Sequence, residues 1–181
     1  ALVERDEKFG KSYFSLNSDG SRADLIMIKG GGYRHPSSEE TLREKVVDEY
    51  GNIRSDEQGY MQGGDVFNFV IREIPRDIKK TLEYAGDTAD SFDYIVFHQA
   101  NNFINAYIAK KMKLDTDKIP STIAKYGNTS SVSVPLTIVS ELKDRLYGNK
   151  KLLLSAFGVG MTWATGIVPF VDCKISDIVE V

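Results

Sequence analysis

The sequence is poor in the residues that build covalent or metal-braced folds: 181 residues hold one cysteine, Cys173, and two histidines, His35 and His98. A single cysteine excludes an intrachain disulfide framework and any multi-cysteine zinc site, and fits a reducing compartment such as the cytoplasm. Two histidines exclude a histidine-rich metal centre. There is no basic excess either: 23 Lys and Arg against 26 Asp and Glu leave a net charge of −3. A nucleic-acid or anionic-membrane partner would need a basic field, so a small substrate or a protein partner is expected instead. Internal repeats, low-complexity tracts and Pro/Ser linkers are missing, so residues 1–181 read as a single domain. The start, Ala1-Leu2-Val3-Glu4-Arg5, has no leader-like segment, so secretion is not expected. The one long charge-free run, Leu152 to Val171, has the length of a membrane span. Gly158, Gly160, Gly166 and Pro169 interrupt it, and it reads as two buried strands around a Gly-rich turn.

What is present is a globular composition, 41% hydrophobic and 27% charged. Ala1–Arg5, Lys11–Leu16 and Asp24–Ile28 read as strands. Ser37 with Glu40 suggests a capping box for a short helix carrying Leu42, Val46 and Tyr50 on one face and stopping at Gly51. The spacing of Phe67, Val70, Ile71, Ile74, Ile78 and Leu82 predicts a helix over Asp65–Ala85, kinked at Pro75 and ended by Gly86. Asp93–His98 reads as a buried strand. A helix from Asn101 or Asn102 then buries Ile104, Tyr107, Ile108 and Met112. After the polar turn Tyr126–Ser131, a helix carries Leu136, Val139, Leu142 and Leu146 and ends by Gly148. Strands Lys151–Phe157 and Trp163–Val171 close an α/β order, in which sites gather at the carboxyl ends of strands.

His98 and Asn128 stand at such ends. His98 reads either as a structural histidine bonded to the backbone or as a group in a cavity wall. Asn128 reads either as a turn residue or as a donor. If the two converge, an imidazole N–H and a carboxamide N–H would form an oxyanion site suited to an enolate. The remaining candidates are weaker. Cys173 lacks a glycine elbow or an adjacent base and reads as an inert thiol. Gly30–Gly32 lacks the context of a phosphate loop and reads as a flexible turn. His35 reads as an exposed loop histidine, and no carboxylate pair stands out.

Three motifs, His98-Gln99-Ala100-Asn101, Tyr126-Gly127-Asn128-Thr129-Ser130-Ser131 with Val134-Pro135-Leu136, and Ala156-Phe157-Gly158-Val159-Gly160-Met161-Thr162-Trp163, carry a resemblance. In their order and spacing, the sequence closely resembles β-ketoacyl-acyl carrier protein synthase III (3-oxoacyl-[acyl-carrier-protein] synthase III), of the thiolase-like superfamily. Asn17–Gly20 and Met61–Asn68 extend the match over nearly the whole chain. The resemblance implies a carboxyl-terminal thiolase-like half, a layered α/β/α arrangement with a mixed sheet. It implies a condensing enzyme in which a cysteine takes an acyl group from acyl-CoA and malonyl-acyl carrier protein is decarboxylated to give a 3-oxoacyl product. His98 and Asn128 match the family's catalytic pair, which holds the malonyl thioester oxygen. Phe157, Gly158, Val159 and Gln99 are the implied substrate-binding residues, Val159 through its backbone N–H. No cofactor and no metal are implied, and the family is usually homodimeric.

Three departures accompany the match. The family's nucleophilic cysteine belongs to the amino-terminal half, and Cys173 matches nothing in that motif, so this half is expected to be inactive without its partner half. Many members carry an arginine five positions after the catalytic histidine for carrier-protein or CoA docking, where this sequence has Phe103. The segment Tyr33 to Tyr60 is longer and more charged than in housekeeping members and resembles relatives in specialised acyl or surface-glycolipid pathways. The absent nucleophile leaves a second reading, a non-catalytic lobe serving as a binding or assembly module.

Overall fold

The computed structural model describes residues 9–179; the strand expected at Ala1–Arg5 lies outside them. The elements, in order, are β1 (Tyr13–Ser18), β2 (Ile26–Met27), α1 (Glu39–Leu42), β3 (Lys45–Val46), β4 (Ile53–Arg54), β5 (Tyr60–Met61), α2 (Gly63–Ala85), β6 (Tyr94–Phe97), α3 (Asn102–Met112), α4 (Ile123–Tyr126), α5 (Ser133–Thr137), β7 (Asn149–Gly158) and β8 (Thr162–Val171). Their residues group into two compact units, one holding the chain up to Asn17, Phe69–Phe157 and the chain from Trp163, the other Ser18–Asn68 and Gly158–Thr162.

The larger unit is built on a four-stranded sheet in the order β1-β8-β7-β6. β6 and β7 run parallel, with Tyr94 opposite Leu152 and Phe97 opposite Ser155. β7 and β8 are neighbours joined by three residues, which only an antiparallel hairpin permits, so the sheet is mixed. Strand alternation assigns the two faces. One face receives α2, where Phe69 meets Trp163 edge-on at 5.1 Å. The other carries Val96 and Leu152, packed with Ile138, Leu142 and Leu146 from the helical segment that begins as α5. Helices on both faces give the layered α/β/α arrangement that the resemblance implies.

α2 is a single helix through Pro75. It ends at Gly86, whose φ of +69° suits a residue without a Cβ. Its buried face runs Val66, Phe69, Val70, Ile74, Ile78 and Leu82. A carboxylate joins this apolar face. Asp77 is 4% exposed and accepts from Ser15 Oγ at 2.5 Å, Asn17 Nδ2 at 2.8 Å and Thr165 Oγ1 at 2.6 Å. Three neutral donors from β1 and β8 thereby replace its water.

The segment after Gly127 departs from a plain helix. Ser130–Val132 is a 3-10 turn, α5 follows, and Ile138–Leu142 widens to a π turn before a final 3-10 turn at Lys143–Arg145. With this shift in winding Ser133, Thr137 and Ile138 face inward in place of the expected Leu136 and Val139, while Leu142 and Leu146 are buried as expected. In α3, Tyr107 is exposed, and Asn105 takes an inward place beside Ile104, Ile108 and Ala109.

The smaller unit corrects two expectations. The α1 cap is Ser38, paired reciprocally with Thr41, and α1 stops at Leu42. Ser37 instead donates to Glu57. Val46 lies in the hairpin β3–β4, closed by Asp48, whose Oδ1 accepts from the N–H groups of Tyr50 and Asn52. The Asx turn and the positive φ of Gly51 favour that hairpin over a continued helix. Nor is Gly30 part of a flexible turn. It is buried, and a Cβ there would lie 2.9 Å from Thr41 Cβ, so close packing requires glycine.

Asp77→Ala strands three buried or part-buried donors and is expected to lower the unfolding free energy by about 3 kcal/mol in urea titrations. A change below about 0.5 kcal/mol would show that the carboxylate is not a tie between α2 and the sheet.

Candidate active site

β6 delivers His98 to its carboxyl end. Ile95, Val96 and Phe97 are almost wholly buried, and the His98 N–H extends the parallel ladder by donating to Ser155 O at 2.8 Å. The chain then turns into α3, capped by Asn101, whose Oδ1 accepts from the Ile104 N–H at 2.8 Å. Asn105, one turn on, donates from Nδ2 to His98 O at 3.2 Å. The backbone of His98 is thus held from both sides.

Its ring is partly buried. Nδ1 lies 2.6 Å from Ser133 Oγ, and the ring meets Phe157 edge-on at 5.2 Å. Burial holds the imidazole pKa below its ordinary value, because a charged ring would lose hydration that nothing nearby replaces. At neutral pH the ring is therefore uncharged and can donate one N–H without carrying a formal charge.

Gln99 is 0% exposed, and both ends of its carboxamide are engaged within the protein. Nε2 donates to Phe97 O at 2.8 Å. Oε1 accepts from the Thr122 N–H at 3.0 Å and Ser121 Oγ at 3.1 Å. Ser133 Oγ accepts from the Gln99 N–H at 3.3 Å. The segment from Ser121 to Ser133 is therefore fastened at both ends to the dipeptide His98-Gln99. Thr122 Oγ1 also lies 2.9 Å from Thr137 Oγ1, one turn beyond Ser133 in α5.

Asn128 sits within this fastened segment, exposed to solvent. Gly127, with φ +65°, ends α4. Asn128 Oδ1 accepts from the Ser130 N–H at 2.9 Å. That bond fixes which end of the carboxamide is which, leaving Nδ2 as the outward donor.

Residues 82–170 match the family "3-Oxoacyl-[acyl-carrier-protein (ACP)] synthase III C terminal". The chain matches the carboxyl-terminal half of a synthase III. It is 34% identical over 171 residues to the beta-ketoacyl-[acyl-carrier-protein] synthase III of Streptococcus pneumoniae (strain Hungary19A-6), covering 92% of this chain and 49% of that protein. A 2.1 Å crystal structure of a 3-oxoacyl-(acyl-carrier-protein) synthase III superposes with a TM-score of 0.84 at 35% identity, over 92% of this chain and 50% of the other. A crystal structure of a 3-oxoacyl-(acyl-carrier protein) synthase from Burkholderia xenovorans LB400 gives 0.79 at 36% identity, over 92% and 46%. The chain thus spans about half the length of the synthase III proteins it matches, and the thiolase-like α/β fold is borne out.

The site residues read from sequence divide by position. His98 and Phe157 are in ring contact. Asn128 rides on the segment pinned to His98-Gln99. Gly158 ends β7, and Val159 is 61% exposed, its carbonyl accepting from Thr162 Oγ1 at 2.9 Å. Gln99 faces inward and braces the segment that carries Asn128. Cys173 is exposed beyond β8. Among the described residues no cluster of His, Cys, Asp and Glu suits a metal ion, and no helix is long and apolar enough to cross a membrane. Ser133 escaped the sequence reading. Its signal was a lone small hydroxyl within Val132-Ser133-Val134-Pro135-Leu136, which periodicity treats as solvent-facing.

A nitrogen-15 titration should place the His98 midpoint below about 6.5, the ordinary histidine value. A midpoint at or above that value contradicts an imidazole kept neutral by burial.

Proposed function

We propose that this chain is the His/Asn half of a cytoplasmic condensing enzyme of the synthase III type, joining an acyl group from acyl-CoA to malonyl-acyl carrier protein. The observation that carries the reading is the fastening of the Asn128 segment to His98-Gln99. It presents a neutral imidazole and an oriented carboxamide from one hydrogen-bonded assembly.

In the proposed reaction the malonyl carboxylate leaves as CO2. The electron pair of the broken C–C bond moves into the thioester, and negative charge grows on the thioester oxygen. The His98 imidazole N–H and the Asn128 Nδ2–H donate to that oxygen. Their dipoles are fixed before the charge appears, so little reorganisation opposes them, and each donor is worth about 3 kcal/mol. The enolate carbon then attacks the acyl-cysteine carbonyl, forming the new C–C bond and releasing the cysteine thiolate. Phe157 shapes the acyl side of the site.

The nucleophilic cysteine is proposed to come from a half outside these 181 residues, because the context of Cys173 gives it neither base nor elbow. On this reading the chain is inactive without that half, acts in a homodimer and uses no cofactor. Phe103, 68% exposed, replaces charge with apolar surface where many relatives carry a docking arginine, so carrier protein is expected to dock through other residues.

Measured on the complete synthase, His98→Ala and Asn128→Ala should each reduce malonyl-thioester decarboxylation by on the order of 100-fold, while acyl transfer from acyl-CoA to cysteine stays measurable. Loss of acyl transfer with decarboxylation intact contradicts these roles. Decarboxylation untouched by either change favours the binding or assembly module instead.

A further inference from the structure

The Ser133 hydroxyl is 1% exposed and has one proton and two lone pairs to place. The Gln99 N–H donates to this oxygen at 3.3 Å. At 2.6 Å the oxygen also meets His98 Nδ1. Ser133 O is engaged separately, accepting from Thr137 Oγ1 at 2.8 Å. Among the described residues, the only acceptor within reach of the Ser133 proton is His98 Nδ1.

This arrangement is directional. If Nδ1 carried a proton, two N–H groups would point at one serine oxygen, and the serine's own proton would have no acceptor in a buried position. If Nδ1 is bare, every group is satisfied: the Gln99 N–H to Oγ, the Ser133 O–H to Nδ1. We infer that Ser133 is a positioning residue that fixes His98 as the Nε2–H tautomer, so that the ring's single proton lies on the nitrogen turned away from α5.

The consequence for chemistry rests on the reading of His98 as an oxyanion donor. A neutral imidazole has one N–H, and a donor on Nδ1 would spend it on the protein interior. Ser133 aims it at Nε2, which no group among the described residues engages. The same bond opposes the imidazolium, because a second ring proton would have to displace the serine's. Gln99 takes part from the other side, since its N–H fills one of the two lone pairs of Oγ. The Gln99 carboxamide, fastened to Ser121 and Thr122, keeps that N–H in place.

The test is nitrogen-15 NMR of the protein labelled at histidine, with the His98 signals assigned by their loss in His98→Asn. At neutral pH, Nδ1 should show the shift of a bare, hydrogen-bonded ring nitrogen and Nε2 that of an N–H. In Ser133→Ala the Nδ1–H share should rise roughly fivefold, as loss of one typical hydrogen bond implies. Ser133→Thr, which keeps the hydroxyl, should retain the wild-type tautomer. A wild-type spectrum dominated by Nδ1–H overturns the inference without any variant, and so does a ratio unchanged in a folded Ser133→Ala. These readouts need no turnover. Decarboxylation indifferent to His98→Ala would remove the functional reading and leave the tautomer result standing.

Discussion

The structure around the site depends on how the dipeptide His98-Gln99 is bonded to the two ends of the Ser121–Ser133 segment. A loop of this length would otherwise sample many conformations, and ordering it costs conformational entropy on the order of 1–2 kcal/mol per residue. Buried hydrogen bonds at both ends offset that cost locally. Gln99 contributes a side-chain carbonyl that accepts twice and a backbone N–H that donates once. Because Gln99 is fully buried, breaking one of these bonds exposes no water to replace it, so the segment holds or opens as a unit. Asn128 inherits its position from that fastening.

Burial serves two ends at once. The packing that removes water from the His98 ring also disfavours its charge, which suits the neutral oxyanion donor proposed above. Phe157 supplies part of that packing. The buried and half-buried run Leu152–Phe157 places its aromatic ring against the imidazole because β6 and β7 run parallel in register, with Phe97 opposite Ser155. Farther out on the sheet, Asp77 shows the converse solution. A carboxylate is kept inside by hydrogen bonds to three neutral donors, two on β1 and one on β8.

Much of this was legible in the sequence, for physical reasons that can be named. The long helix α2 repeats apolar residues at helical spacing and β6 is a continuous apolar run, and such patterns are the strongest local signal. The placement of His98 just past a strand and of Asn128 in a turn was legible from the sequence around them. The Ser38 cap was missed by one residue because Ser37-Ser38 offers two equivalent hydroxyls, and Thr41 served as the reciprocal partner in place of Glu40. The inward face of the helix after Ser133 was misread because a π turn shifts its phase. Gln99 and Ser133 were invisible as supports, since polar residues buried by long-range partners leave no periodic trace. The role of Gly30 was hidden for the same reason: the atoms that forbid a Cβ there belong to Thr41.

The central claim is that His98 and Asn128 act on one developing charge. A double-mutant cycle on decarboxylation by the complete synthase tests it most directly, comparing His98→Ala, Asn128→Ala and the combined variant. Donors to one oxygen should be strongly non-additive, with the combined variant only slightly slower than either single one and a coupling energy of about 1–3 kcal/mol. Additive losses, with coupling below about 0.5 kcal/mol, would contradict a shared oxyanion site.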